Sequence, residues 1–142
     1  MIGLDTSFLV AFEIADHPRC IRARGFAERY AEEGFALAPQ VLAEFIHVVT
    51  DPERFRVPLS MTHALTRSRR WWHAHEVSPV FPTLSAIELF HAWIDKYALG
   101  RKRLLDTMLA ATYVAAGVTR IVTTDARDFS IFPSLSQELI RQ

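Results

Sequence analysis

Carboxylates are the side chains of this sequence whose types and spacing could do chemistry. Asp5 follows the short apolar run Ile2-Gly3-Leu4, and Asp125 follows the β-branched run Thr119-Arg120-Ile121-Val122-Thr123-Thr124, with Asp128 three residues on. Asp106 opens one stretch of helical spacing, and Glu44 falls in the second turn of another. Brought to one edge, these four segments would place their acids side by side. Two unit charges about 5 Å apart repel by roughly 3 kcal/mol at an effective dielectric of 20. A helix N-terminus offsets only a few tenths to about 1 kcal/mol. Such a set either shares protons or binds a cation. Hard divalent ions prefer oxygen, and Mg²⁺ keeps several waters and meets substrate phosphates. Mn²⁺ suits the same oxygen-only set. No Cys/His set at zinc spacing competes with this reading. The chemistry it points to is metal-assisted phosphodiester hydrolysis, in which one or two ions activate water and neutralise charge on the phosphate.

The elements that must position these acids follow from pattern. Residues 2–4 read as a strand ending at Asp5, after which Thr6 or Ser7 caps a helix to about residue 15. Pro18 suits the first turn of a second helix, ended by Gly34 near residue 33, and residues 35–38 read as a short buried strand. Pro39 opens a helix whose Val41, Leu42, Phe45, Ile46 and Val49 repeat at helical spacing. Asp51-Pro52 stops it. Residues 60–75 are helical by pattern, 76–81 form an edge or irregular strand because of Pro79, and 84–99 form a helix closed by Gly100. A further helix over 104–116 closes at Gly117, and 119–124 is the clearest strand. A last strand is expected at 137–140. Strands alternating with helices make a largely parallel sheet with helices on both faces, within one domain over residues 1–142. Ligands of such sheets sit at the carboxyl ends of the strands, the edge that Asp5, Glu44, Asp106 and Asp125 share.

Composition narrows the classes. With 142 residues, 50% of them hydrophobic, the chain is long enough for a buried core. Sixteen Lys and Arg balance sixteen Asp and Glu, so a globally basic nucleic-acid binder is not indicated, and only local charge clusters bear on such a role. The single cysteine, Cys20, excludes an internal disulfide framework and suits a reducing, cytoplasmic setting; it reads as a packing residue. No apolar run reaches membrane-spanning length, and the start lacks the basic stretch of a signal peptide. Taken singly, each acid has a plainer role: Asp106 as an N-cap, Asp125 and Asp128 as turn or cap residues, Asp5-Thr6-Ser7 as a strand-to-helix cap. These plainer roles would have to hold at four sites sharing one edge. A binding domain using the rim only to hold a structural cation is the alternative from another class. A nucleotide-binding flavodoxin-like domain is disfavoured, because the first strand-to-helix turn has no glycine-rich phosphate loop.

The segments Ile2-Gly3-Leu4-Asp5-Thr6-Ser7, Leu42-Ala43-Glu44-Phe45, Leu105-Asp106 with Ala110-Ala111, and Thr123-Thr124-Asp125-Ala126-Arg127-Asp128-Phe129 resemble the PIN-domain ribonucleases, most closely the VapC toxins of bacterial type II toxin–antitoxin pairs. The resemblance implies a three-layer α/β/α sandwich around a mainly parallel sheet of about five strands. It implies Mg²⁺- or Mn²⁺-dependent endoribonuclease activity, commonly on tRNA or rRNA. Asp5, Asp106 and Asp125 would carry metal directly or through water, Glu44 would hold metal or orient the attacking water, and Asp128 would be a secondary member. Thr6 or Thr124 would position a carboxylate. A cognate antitoxin would cover the site, and homodimers are usual. A related RNA-processing nuclease without toxicity is the nearby alternative. Thr124 stands where the family often has Asn.

Two clusters lie outside this pattern. Arg101, Lys102 and Arg103, just before Asp106, either hold RNA phosphates or form a solvated loop. Arg69, Arg70, Trp71 and Trp72 either stack bases or bind a partner, or bury an aromatic pair under a polar face, the reading preferred here. His47, one turn beyond Glu44, is expected to be a half-buried helix residue.

Overall fold

A computed structural model describes residues 1–142. It holds five strands, β1 (Ile2–Leu4), β2 (Phe35–Leu37), β3 (Val77–Pro79), β4 (Arg120–Thr123) and β5 (Ser136–Leu139), and six helices, α1 (Thr6–Glu13), α2 (Cys20–Arg29), α3 (Pro39–Val49), α4 (Met61–Trp72), α5 (Leu84–Lys96) and α6 (Leu104–Ala115). All strand pairings are parallel, in the order β3-β2-β1-β4-β5. The expected fold class is thus the observed one, including the last strand. Pro79 lies on edge strand β3, where its missing N–H leaves no ladder bond unmade. No helix is long and apolar enough to cross a membrane.

The strand order explains where a site can form. The chain steps from β1 to β2 to β3 in one direction, then returns past β1 to β4 and β5 in the other. Right-handed crossovers in opposite directions put α1–α4 on one face and α5 and α6 on the other. The reversal opens a crevice between the carboxyl ends of β1 and β4. Asp5 and Thr124 are the residues that follow those two strands.

Packing below the crevice sets its width. Tyr113 of α6 is fully buried against β1, and Gly3 is what admits it: a Cβ there would lie 2.7 Å from the ring. The Tyr113 hydroxyl donates to the Leu4 carbonyl (2.6 Å) and accepts from the Ala38 N–H (3.3 Å). One side chain thereby ties the end of β1 to the start of α3, the two elements that carry Asp5 and Glu44.

Several helix ends differ from pattern. Neither Thr6 nor Ser7 caps α1, since both hydroxyls are drawn to carboxylates instead. α2 begins at Cys20, after Pro18, and ends at Arg29, with a turn running on to Gly34. α5 ends at Lys96 rather than 99. Its closing residue is Ala98, in the left-handed region at φ 49°, with Leu99 N–H reaching back to the Ile94 carbonyl (3.1 Å). Gly100 instead precedes the short 3-10 turn Arg101–Arg103 that leads into α6.

Candidate active site at the carboxyl edge of the sheet

Asp5 is almost fully buried, at 6% exposure. Its Oδ2 accepts from the Thr123 hydroxyl (2.8 Å) and the Ser7 hydroxyl (2.5 Å). Burial pushes its carboxyl above the ordinary range, and the charge of Glu44 adds to this, while the two hydroxyls pull the other way. Glu44 is solvent-exposed on α3, and its Oε2 accepts from the Thr6 hydroxyl (3.0 Å). Asp106, in the first turn of α6, makes no capping bond to the helix. Burial and the charges of Asp128 and Asp5 push it up to about 7, against the pull of Arg103. Asp128 is raised for the same leading reason, burial, followed by the charges of Asp125 and Asp5.

These acids line one groove of about 210 Å³: Asp5, Glu44, Asp106 and Asp128, together with Thr6, Ser7 and Thr124. Asp125 does not line it. Its Oδ1 accepts from the Arg127 backbone N–H (2.9 Å), and its carboxylate pairs with the exposed Arg127 guanidinium (2.9 Å). That pairing holds its carboxyl down to about 2. The turn role is the one Asp125 plays here, and Asp128, the residue after Arg127, stands in the groove instead.

The hydroxyls around Asp5 are not all those the sequence singles out. Thr6 meets Glu44, as expected. Thr124 contributes its backbone N–H, which donates to Ser7 Oγ (3.0 Å), whereas Thr123 and Ser7 supply the bonds to Asp5. The available signal was position: Ser7 is two residues past Asp5, and Thr123 is the last residue of the neighbouring strand. His17 and Arg54 also line the groove, and no local pattern marks them. Burial and the charge of Arg19 hold the His17 ring below the ordinary imidazole range.

The basic cluster before α6 divides. Arg101 and Lys102 are exposed. Arg103 is turned inward and donates to the Arg127 (3.3 Å) and Asp128 carbonyls, which fastens the loop after β4 to the start of α6. Trp71 is buried, and its indole N–H donates to Glu13 (2.8 Å); Trp72 is half-buried against Phe81. The aromatic pair is therefore packing, as preferred above. His47 is exposed rather than half-buried.

No three Asp, Glu, His or Cys side chains stand close enough to make a ready-formed metal set. Mutual repulsion favours this spread. The donor chemistry still fits a hard cation: carboxylate oxygens come from four segments, burial raises Asp5, Asp106 and Asp128 above the ordinary carboxyl range, and no cation is bonded to Asp5 or Asp106.

The PIN domain family model matches residues 2–133. The chain is similar in structure to Mycobacterium tuberculosis VapC20, a sarcin–ricin loop cleaving toxin, at 18% identity and a TM-score of 0.67, over 93% of this chain and 95% of that one. It is similar to VapBC2 from Rickettsia felis bound to a DNA fragment from its promoter, at 18% identity and a TM-score of 0.68, over 98% of both chains. VapBC-1 from nontypeable Haemophilus influenzae aligns over 100% of both chains at 15% identity and a TM-score of 0.68. At these identities the likeness is one of fold. No curated protein sequence matches the chain.

Proposed function

The chain belongs to the PIN-domain family, and from that premise we propose that it is a divalent-metal-dependent endoribonuclease, the toxin of a VapBC-type toxin–antitoxin pair. One observation carries the proposal. At the crevice where the strand order reverses, four carboxylates from four segments line one groove, and the most buried of them, Asp5, has hydroxyls and like charges for neighbours but no cation. Asp5, Glu44, Asp106 and Asp128 would hold Mg²⁺ or Mn²⁺ there. Such an ion supplies a water of lowered pKa and charge neutralisation at the phosphate. Asp125 joins this set only by releasing Arg127.

The chain's own groups divide the remaining work. Thr123 and Ser7 fix the Asp5 carboxylate in orientation, and Thr6 does the same for Glu44. Glu44, exposed on α3, would accept a proton from an attacking water. Arg103 holds the loop that carries Asp128. Arg101 and Lys102, exposed in the turn that leads into α6, would contact phosphates of the RNA strand. The neighbours named as VapBC proteins support an antitoxin as partner, and the neighbour that cleaves the sarcin–ricin loop supports structured RNA, tRNA or rRNA, as substrate. A cytoplasmic homodimer is the form expected.

Cleavage of total bacterial RNA, with Mg²⁺, Mn²⁺ or EDTA and read by mapping new RNA ends, tests the proposal. Discrete cuts that vanish in EDTA are expected, as is growth arrest on expression that a co-expressed antitoxin relieves. Folded protein that binds divalent ions and cuts nothing would overturn it and leave the rim as a cation site.

A further inference from the structure

The groove has a second side that the acids do not explain. α1 and α3 run alongside each other, with Thr6 bonded to Glu44, and one turn further on Val10 and Val48 line the same groove. His17 and Arg54, in the segments that follow those two helices, complete it. The acid that precedes α1, the acid in the second turn of α3 and nitrogen donors from beyond the last turns of both helices therefore share one cleft. An RNA strand brought to the carboxylates alone would meet only negative charge. A donor side is what would hold its phosphate there.

Both side chains are free to serve. His17 Nδ1 accepts the Arg19 backbone N–H (3.1 Å). A neutral imidazole with Nδ1 occupied in that way carries its proton on Nε2, so what it has left to offer is a donor, not a base or a metal lone pair. His17 forms no ion pair with any carboxylate. Arg54 touches Asp51 through Nε alone, at 3.6 Å, on a side chain that is 59% exposed. Its outer fork takes no acceptor from the protein.

We propose that His17 and Arg54 form a phosphate-binding pair that holds the backbone of the RNA strand against the acid side of the groove. They are positioning residues for substrate, distinct from the carboxylates that do the chemistry. The proposal rests on the nuclease reading above.

Steady-state kinetics on a short RNA containing a mapped cut site test it, with four variants of the full chain. His17→Asn keeps an oxygen where Nδ1 stood, so the turn is held but the outer donor is lost; His17→Gln keeps the outer donor and gives up the turn contact. Arg54→Ala removes the fork, and Arg54→Lys restores charge without it. A charge-assisted contact is worth about tenfold or more in affinity. His17→Asn and Arg54→Ala should therefore raise KM about tenfold, with kcat within about threefold. His17→Gln should stay within about threefold of the wild type in KM, and Arg54→Lys should recover part of the loss. Melting temperature, and its rise on adding Mn²⁺, should be unchanged in His17→Asn and Arg54→Ala. Unchanged KM in both of those variants would overturn the proposal while leaving the nuclease intact. So would His17→Gln failing where His17→Asn does not, since that marks a structural turn. If the wild type cuts nothing, the affinity of each variant for the same uncut RNA decides: equal binding by all refutes the pair, and no binding by the wild type removes the nuclease reading with it.

Discussion

Two buried carboxylates stand at the two ends of the same helix, and they are treated in opposite ways. Glu13, the last residue of α1, is 6% exposed and accepts from the Trp71 indole N–H (2.8 Å) and the Arg67 guanidinium (3.2 Å). Arg67 also donates to the Glu13 carbonyl (2.6 Å). Asp5, just before α1, is equally buried, yet it has two hydroxyls and three other acids around its groove. Burying a carboxylate is costly unless it is paired and hydrogen-bonded. At Glu13 the chain supplies the cation itself, and the result is a clamp between α1 and α4. At Asp5 the chain bonds no cation to the carboxylate. On the proposed reading, a structural acid and a metal-holding one share burial, and even a helix, and differ only in what neutralises them.

The contrast can be broken most forcefully at Glu13. Glu13→Ala strands the Trp71 N–H and an Arg67 charge at a packed interface, and should cost about 2–4 kcal/mol in urea unfolding. Asp5→Asn removes a charge the fold does not neutralise. It should be neutral or stabilising by about 1 kcal/mol without metal, and should abolish the rise in melting temperature that Mn²⁺ gives the wild type.

pH sharpens the contrast further. Asp106 titrates near 7 in the folded state against an ordinary 3.8, so between those values the folded state binds more protons than the unfolded one. Stability then falls as pH rises through that window. Metal-free protein should melt at a lower temperature at pH 8 than at pH 5, and Asp106→Asn should flatten the difference; a flat wild-type profile would count against the coupled rim. The smallest effect belongs to Arg127→Ala, which should move the Asp125 carboxyl from about 2 toward the ordinary range in a carboxyl NMR titration and leave the melting temperature unchanged.

The elements and the rim were legible because each rests on short-range signals: β-branched runs for β4, Pro39 for the start of α3, acids at strand ends. What escaped was set by tertiary contact. Glycine at 100 looked like a stop, but Ala98 takes the left-handed position because the backbone closes α5 one turn early. Asp125 and Asp128 differ in sequence only by their order, and it is Arg127 that ties one into a turn and Arg103 that holds the loop of the other. Thr123 and Thr124 are neighbours of the same type, and strand alternation alone decides which hydroxyl meets Asp5. His17 and Arg54 line one groove only because α1 and α3 lie side by side.

The most direct test of the account is a side-by-side cleavage assay of wild type, Asp5→Asn and Glu13→Gln, each verified as folded, on one RNA with Mn²⁺. Loss of at least about a hundredfold in rate for Asp5→Asn, with Glu13→Gln within about threefold of the wild type, is the predicted result. Cleavage by Asp5→Asn at the wild-type rate would contradict it.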